Sequence, residues 1–435
     1  MGRHHDTVHG RARPLVSPHL ASSQIPTEKS QTLTCAATGI ALLALVSAAA
    51  TAATAASAAT ASSEVPGTHI EHGDTVPVVA HLGPTSFRRA GPFGVGETTL
   101  TLPTDGAPVE VWYPATPTAV AGGAEATYDV AAWLPPALRK LIPAGFAVTY
   151  PSGGVRGVAV APGRYPLVVF SHGYAGFRDQ STFLTGDLAS WGFVVAAPDH
   201  LSRDLTQVLG GPTGATAKTT DVQDLEATIA LLAQQNRDAS SPFHGHVDTG
   251  RVGAVGHSAG GAAVEALAVA DPHVTTFIGL AGATVGSFGQ ATTGPASEVP
   301  RQPGMLMSGT ADTIAPEKGM IAAYRHMHSP KRLVLLQGAG HLVFADICEV
   351  GSAQGGLLAI ANALHVPVPA SLVPLATDGC KPPDTPPPQA WPTIRQAVTA
   401  QLRHALGFDA STAGLLGLVR AYPGIVTATS ASPTP

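Results

Sequence analysis

The sequence has little charge of either sign and few cysteines. Only 12% of its 435 residues are charged, whereas 44% are hydrophobic. This balance excludes a disordered or fibrous protein and is sufficient for a large core. The 24 basic residues are fewer than the 29 acidic ones and form no basic stripe, which excludes nucleic acid as an expected partner. No repeat is found, so we expect one large domain with appended ends.

The first 65 residues differ in composition from the rest of the chain. A polar, basic stretch reaches Lys29, an apolar segment extends from Ile40 to Val46, and an Ala/Thr/Ser run continues to Ser63. This order is typical of a secretory signal, so residues 1–65 are predicted to be a signal with a linker and the protein to be secreted. A retained membrane anchor is the alternative, although alanine inserts into lipid only weakly.

The three cysteines support the prediction of export. Cys35 lies in the predicted signal, which leaves Cys348 and Cys380 as an even pair. A disulfide between them would close a loop of about 33 residues and contribute roughly 3 to 4 kcal/mol on the loop-entropy model. Two free buried thiols are the alternative.

Apolar strands alternate with helical segments along most of the chain. This pattern predicts an α/β fold, a mostly parallel, doubly wound sheet with helices on both faces, over residues 85–409. A hairpin around Asp105 and Gly106 is predicted to supply the first strands of the sheet, and residues 114–160 are predicted to form an irregular excursion. Residues 410–435 are a low-complexity tail, expected to be loose from Ser411. We predict strands at 98–103, 108–113, 167–170, 193–197, 252–255, 275–280, 304–307 and 332–336, and helices at 180–190, 221–236, 261–270, 316–327 and 391–406.

A serine lies where one of these strands gives way to a helix, in the motif Gly256-His257-Ser258-Ala259-Gly260. The turn is so tight that a side chain two positions before or after the serine would meet the neighbouring backbone, which explains the two glycines. Serine hydrolases present their nucleophile in this way, so Ser258 is the predicted nucleophile. A glycine-rich structural turn is the alternative interpretation.

A serine hydroxyl needs a base within hydrogen-bond reach. His341 is the predicted base because it lies in a glycine-rich loop just beyond the last apolar strand, after the nucleophile in the chain. The competing histidines are His326, His328, His365 and His404.

The base in turn needs a carboxylate that orients it, and Asp312 is the predicted acid. It follows the strand that ends at Met307, which gives the chain order serine, aspartate, histidine. Asp346 is the next candidate. Alternatively, Asp312 caps the helix that begins near Pro316.

Negative charge on the carbonyl oxygen during acyl transfer needs backbone donors that are already in position. The loop Ser171-His172-Gly173-Tyr174-Ala175-Gly176 follows an early strand, and the N–H of Tyr174 is the predicted first donor. The N–H of Ala259 is the predicted second donor. A simple strand-to-helix turn is the alternative for His172-Gly173.

Several segments together resemble the α/β-hydrolase superfamily and, more narrowly, the plasma-type platelet-activating factor acetylhydrolase family, over roughly residues 91–346. They are Phe170-Ser171-His172-Gly173, Phe177-Arg178, Asp187-Leu188-Ala189-Ser190, Gly192-Phe193, Val195-Ala196-Ala197, Gly256-His257-Ser258, Gly260-Gly261 and His341-Leu342-Val343-Phe344-Ala345-Asp346. The resemblance implies an α/β-hydrolase fold, with Ser258 as nucleophile, His341 as base, and Tyr174 and Ala259 as oxyanion donors.

The position of the acid departs from that narrower family. There the acid follows the strand after the nucleophile helix, and here that strand ends in Gly279-Leu280-Ala281-Gly282 without a carboxylate. The Asp312 segment is instead similar to dienelactone hydrolases and to bacterial polyester hydrolases of the cutinase type. The resemblance therefore implies ester hydrolysis more strongly than a phospholipid substrate.

The expected function is that of a secreted serine carboxylic ester hydrolase acting on lipid or short-acyl esters, in which no metal or organic cofactor takes part. His4, His5, His9 and His19 could form a metal tract, but they lie in the part expected to be removed. Apolar excursions at 114–160 and 283–302 are expected to form a pocket for the acyl chain. Transient contact with a lipid surface fits such a substrate. A polyester hydrolase is the nearest alternative, and a non-catalytic secreted binding protein on the same fold is the alternative of another class.

Overall fold

A large mixed sheet forms the centre of the described part of the chain. The computed structural model describes residues 76–210, 218–283 and 299–432. The predicted signal, Cys35 and the N-terminal histidines lie outside these residues. The described strands are β1 (Gly94–Thr101), β2 (Pro108–Ala115), β3 (Glu125–Asp129), β4 (Thr149–Arg156), β5 (Tyr165–Ser171), β6 (Val194–Pro198), β7 (Val247–His257), β8 (Val274–Leu280), β9 (Gly304–Gly309), β10 (Lys331–Leu336) and β11 (Val426–Ser432).

Helices connect most of the central strands. In chain order the described α-helices are α1 (Pro117–Val120), α2 (Pro136–Arg139), α3 (Thr182–Ser190), α4 (Leu205–Val208), α5 (Asp221–Arg237), α6 (Ala259–Ala270), α7 (Glu317–His326), α8 (Leu357–Ala363), α9 (Pro387–Ala405) and α10 (Leu418–Ala421). The predicted strands and helices between residues 167 and 406 are all present, with ends that differ by a few residues. None of the described helices is long and apolar enough to cross a membrane.

The strand order is β11-β10-β9-β8-β7-β5-β6-β2-β1-β4-β3. The six strands from β10 to β6 in this order are parallel to one another. Because the carboxyl ends of parallel strands meet at one edge of a sheet, the loops after β5, β7, β9 and β10 lie on the same side of the molecule. In α/β sheets ligands bind at this edge.

Alternate side chains of each central strand enter two separate cores. On β7, Val252 and Ala254 belong to the core covered by α5, α6 and α7, whereas Val255 belongs to the core covered by α3 and α9. Strands buried on both faces have near-continuous apolar sequences, which explains the pattern seen in the sequence. The predicted doubly wound α/β fold is confirmed, and it is the α/β-hydrolase fold.

The ends of the sheet differ from the sequence prediction in two places. The hairpin of β1 and β2 is confirmed, but the excursion at 114–160 contains β3 and β4, which pair with each other and extend the sheet beyond β1. The expectation of a loose tail from Ser411 was wrong, because β11 pairs antiparallel with β10. Edge strands need little apolar sequence, since backbone hydrogen bonds hold them, so composition alone did not reveal these strands.

Candidate active site

Ser258 lies on a strained turn between β7 and α6. Its φ is 57° and its ψ is −120°, a backbone conformation that residues with a side chain rarely adopt. A Cβ on Gly256 would lie 2.1 Å from the carbonyl oxygen of Gly260, and a Cβ on Gly260 would lie 2.0 Å from that of Ser171. Both glycines are therefore required by close backbone contact, as the motif predicted.

His341 and Asp312 form a buried pair on neighbouring loops. The Nδ1 atom of His341 lies 2.9 Å from Oδ2 of Asp312. The other carboxylate oxygen accepts hydrogen bonds from the backbone amides of Ile314 and Ala315, at 2.9 and 2.7 Å. The contact between His341 and Asp312 favours the tautomer of His341 that carries its proton on Nδ1, and it leaves Nε2 as the nitrogen that can accept a proton.

Asp312 thus also holds the turn before α7, so the capping role considered for it is compatible with its contact to His341.

Asp346, the second candidate acid, is engaged elsewhere. Its carboxylate accepts hydrogen bonds from the backbone amide and the hydroxyl of Thr182, at 2.6 and 2.7 Å. Asp346 therefore fixes the start of α3.

The loop of residues 171–176 lies directly against the serine turn. A Cβ on Gly173 would be 3.2 Å from the Cβ of Ser258, so the two backbones approach closely. Arg203 donates to the carbonyl oxygens of His172 and Gly173, at 2.5 and 2.7 Å. The carbonyl oxygen of Arg203 in turn accepts from the amide of Ala175, at 2.9 Å. One buried guanidinium therefore fixes the loop that carries Tyr174.

A second serine, histidine and aspartate set supports the same loop, and the sequence analysis missed it. Ser171 Oγ lies 2.9 Å from His200 Nε2, and His200 Nδ1 lies 2.9 Å from Asp224 Oδ2. Arg203 donates to Ser171 Oγ at 3.0 Å and to Asp221 at 2.7 Å. Ser171, His200 and Asp224 are at most 1% exposed, so a substrate cannot reach them. The set anchors the end of β5.

His257, next to Ser258, is a neutral histidine held between two loops. Its Nδ1 accepts from the side-chain amide of Gln180 at 3.0 Å, so its Nε2 carries the proton and donates to the carbonyl oxygen of His341 at 3.1 Å. Burial, with the nearby His341 as a smaller cause, lowers the pKa of His257 well below its usual value. Gln180 also accepts from the amide of Gly173 at 3.0 Å. Gln180 and His257 therefore connect the loops of Gly173, Ser258 and His341.

An apolar pocket opens above these groups, and Ser258 and His341 line it. One wall comes from the predicted excursion, through Val130, Leu134, Ile142, Phe146 and Val148. The segment predicted at 283–302 lies mostly outside the described residues. The other wall comes from residues 347–376. The sequence did not lead us to assign them to the pocket, although the apolar run Leu357–Ala361 could have indicated it.

We call residues 348–380 the cap. Cys348 and Cys380 at its two ends form a disulfide with an S–S distance of 2.10 Å, which confirms the predicted bridge. Near its end, Asp378 accepts hydrogen bonds from the backbone amides of His341 and Thr313, at 2.5 and 3.2 Å. The cap is thus attached to the loops that carry His341 and Asp312.

Two clusters within the described residues bring three ligand-type atoms within 4.8 Å of one another. In each cluster an arginine side chain already forms an ion pair with at least one carboxylate. Arg203 pairs with the first cluster, and Arg156 and Arg178 pair with the second. Within the part of the chain that the structure describes, Asp224 is not paired with an arginine and contacts His200 instead. The clusters are His200, Asp221 and Asp224, and Glu97, Glu110 and Asp179.

The family model described as "PETase: PET hydrolase-like" matches residues 142–354, a little under half of the chain. This stretch contains Ser258, Asp312 and His341 and ends inside the cap. Taken with the fold, the match identifies the chain as a carboxylic ester hydrolase of the serine type, as the sequence predicted. This match does not confirm the narrower resemblance to platelet-activating factor acetylhydrolases.

Proposed function

We propose that the chain hydrolyses carboxylic esters through an acyl-enzyme, with Ser258 as nucleophile, His341 as general base and Asp312 as the acid that orients it. The observation that carries this proposal is the 2.9 Å contact between His341 Nδ1 and Asp312 Oδ2, in a pocket that Ser258 also lines. The strained backbone of Ser258 supports it further, since strain of this kind is concentrated at functional sites.

The reaction follows from these positions. His341 Nε2 takes the proton of Ser258 as the hydroxyl oxygen attacks the ester carbonyl, and then gives it to the departing alcohol. Water next gives a proton to His341 and attacks the acyl-enzyme. His341 returns that proton to the Oγ atom of Ser258 as the acid is released. Throughout, Asp312 stabilises the imidazolium and keeps the ring in one orientation.

The developing oxyanion would be stabilised by the backbone N–H groups of Tyr174 and Ala259. Ala259 is the first residue of α6, where backbone donors lack partners within the helix. The contacts of Arg203 and Gln180 with residues 172–175 keep the Tyr174 loop rigid. Rigid donors need no reorganisation during the reaction, which is why they lower the barrier.

The apolar walls of the pocket favour lipid or short-acyl esters as substrates, because burial of an acyl chain is favourable there. Polyester is the second candidate substrate, and the family match over residues 142–354 favours it. Assays with dispersed monomeric esters and with a polyester film would rank the two. Faster release of soluble acid from the film, at equal enzyme, would favour the polyester.

We further propose that the protein acts outside the cell. The disulfide supports this, since such bonds persist in oxidising compartments. Residues 1–65, the predicted signal, lie outside the described residues. Mass spectrometry of the exported protein would locate the cleavage site, and an intact N-terminus on a membrane fraction would favour the anchor instead.

A fluorophosphonate probe tests the enzyme proposal directly. We expect it to label Ser258 in the folded wild-type chain and to leave Ser258→Ala unlabelled. Asp312→Asn should lower kcat on the order of a thousandfold, because the amide no longer selects the required histidine tautomer. Absence of labelling in correctly folded protein would favour the alternative of a non-catalytic binding protein.

A further inference from the structure

The side-chain amide of Gln180 is enclosed by the loop that carries Tyr174. Its oxygen accepts from the backbone amide of Gly173 at 3.0 Å, and Gln180 is only 3% exposed. A Cβ on Gly176 would lie 2.2 Å from this oxygen, so a larger residue there would push the amide away from Gly173. The amide of Gly176 also donates to the carbonyl oxygen of Gly173, at 3.1 Å. The loop is therefore closed around Gln180.

The nitrogen of the same side-chain amide faces the serine turn. It donates to Nδ1 of His257 at 3.0 Å, and Nε2 of His257 donates to the carbonyl oxygen of His341 at 3.1 Å. The backbone groups at the two ends fix the direction of these bonds, because the N–H of Gly173 can only donate and the carbonyl of His341 can only accept. Burial lowers the pKa of His257 well below its usual value, so the neutral ring keeps an Nδ1 lone pair for Gln180. A continuous chain of hydrogen bonds thus runs from Gly173 to His341.

This chain of hydrogen bonds joins the two loops whose backbone N–H groups are proposed to bind the oxyanion. Tyr174 directly follows Gly173, and Ala259 lies two residues after His257. The backbone pairing of β5 with β7 ends before Gly173 and His257, so from there on the spacing of the two loops depends on side-chain contacts. Gln180 supplies such a contact to both loops.

We propose that Gln180 is a positioning residue, which acts with His257 to set the separation of the Tyr174 and Ala259 N–H groups. This inference rests on the proposed ester hydrolysis. Both polar atoms of the Gln180 side chain are used by the two loops, so its effect reaches the substrate through the backbone. An oxyanion is stabilised fully only where both donors reach the oxygen, and a small displacement of either donor lowers the rate.

The first test replaces the amide with an apolar side chain of similar size. We expect Gln180→Leu to lower kcat for p-nitrophenyl butyrate by roughly tenfold to a hundredfold, while KM changes little. Butylboronic acid forms a tetrahedral adduct with an active-site serine and places an oxygen in the oxyanion hole, so it should bind more weakly by a similar factor.

The matched control is Gln396→Leu. Gln396 is also buried, and its amide bonds to the backbones of residues 83, 87 and 414, which do not line the pocket. This variant should lose stability because buried backbone groups lose a partner, but it should keep the wild-type kcat and boronate affinity. Thermal unfolding of all variants measures the loss of stability separately.

Two substitutions of His257 separate its two hydrogen bonds. The side-chain oxygen of asparagine lies close to the position of Nδ1, so His257→Asn keeps an acceptor for Gln180 and loses the donor to His341. The side-chain nitrogen of glutamine reaches the position of Nε2, so His257→Gln keeps that donor and loses the acceptor. We expect His257→Asn to retain most of the boronate affinity and His257→Gln to lose as much as Gln180→Leu. A role in stability alone would not separate the two variants in this way.

The positioning role of Gln180 would be overturned by any of three results. These are wild-type kcat and boronate affinity in Gln180→Leu, an equal loss of boronate affinity in Gln396→Leu, or equal boronate affinities in His257→Asn and His257→Gln. Each of them leaves ester hydrolysis intact. If Gln180→Leu does not fold, the comparison of the two His257 variants decides alone. Absence of fluorophosphonate labelling at Ser258 in the folded wild type would instead overturn the underlying function.

Discussion

The carboxylate of Asp378 accepts a hydrogen bond from the backbone amide of His341, 2.5 Å from its Oδ1 atom. Its other oxygen accepts from the amide and the hydroxyl of Thr313, next to Asp312. A Cβ on Gly340 would lie only 2.4 Å from the Cα of Gly379, so the two backbones are in direct contact. A single residue of the cap thus holds the loops of both the proposed base and the proposed acid.

Removal of this carboxylate should impair catalysis more than folding. We expect Asp378→Ala to lower kcat by roughly tenfold to a hundredfold, because small misplacements of reacting groups have effects of this size. Asp378→Asn should retain more activity, since its amide oxygen can still accept. Steady-state kinetics and thermal unfolding would measure both, with Asp384→Ala as control in the following segment. Equal kcat in wild type and Asp378→Ala would refute the role.

Loss of the disulfide should loosen the cap. The variant with Cys348→Ser and Cys380→Ser should lose roughly 3 to 4 kcal/mol of unfolding free energy at most, from a cross-link that spans 32 positions. We also expect a higher KM for ester substrates, since the pocket wall formed by the cap would no longer be fixed. Urea unfolding and ester kinetics measure these effects. A variant as stable as wild type would argue that the cap is held by other contacts.

The buried set around Ser171 should support structure and not react. Ser171→Ala leaves His200 and Arg203 each without one partner, which should cost about 1 to 3 kcal/mol of stability. Fluorophosphonate should still label Ser258 in this variant. Peptide mapping of the labelled protein checks the site, and a label on Ser171 in Ser258→Ala would contradict the assignment.

Asp187 should make stability depend on pH. Among the described residues its oxygens have no hydrogen-bond partner, and burial raises its pKa from 3.8 to about 7 despite Arg395 at 3.6 Å. The folded state therefore holds a proton that the unfolded state releases, so this stabilisation is present below pH 3.8 and is lost as pH rises through 7.

Relative to Asp187→Asn, the wild type should lose roughly 3 to 4 kcal/mol between pH 4 and pH 8. Urea unfolding of both proteins at several pH values measures the difference. The comparison with the variant is needed because burial lowers the pKa of His172 and His257, which acts in the opposite direction. A constant difference across this range would show that Asp187 is ionised when folded.

Much of the fold was predictable because strands buried on both faces are apolar throughout. The serine turn was predictable for a local reason, since its glycines are required by backbone contacts a few residues apart. Edge strands such as β11 escaped prediction because they are held by backbone hydrogen bonds, which any sequence supplies.

The site was predictable only where chain order constrains it. Ser258, Asp312 and His341 follow strands whose ends meet at one edge of the sheet. Arg203, Gln180 and Asp378 act through contacts with distant loops, and no local pattern distinguishes them from ordinary polar residues. The apolar residues of α8 were visible, but their position over the pocket depends on how the cap folds back.

The strand β11 has a consequence for handling the protein. It occupies the backbone hydrogen-bonding groups of β10, from Lys331 to Leu336. A chain shortened before residue 426 would leave that apolar strand as an open edge, on which other chains can add by strand pairing. The last strand therefore protects this edge from aggregation, and an affinity tag at the C-terminus must leave residues 426–432 able to pair with β10.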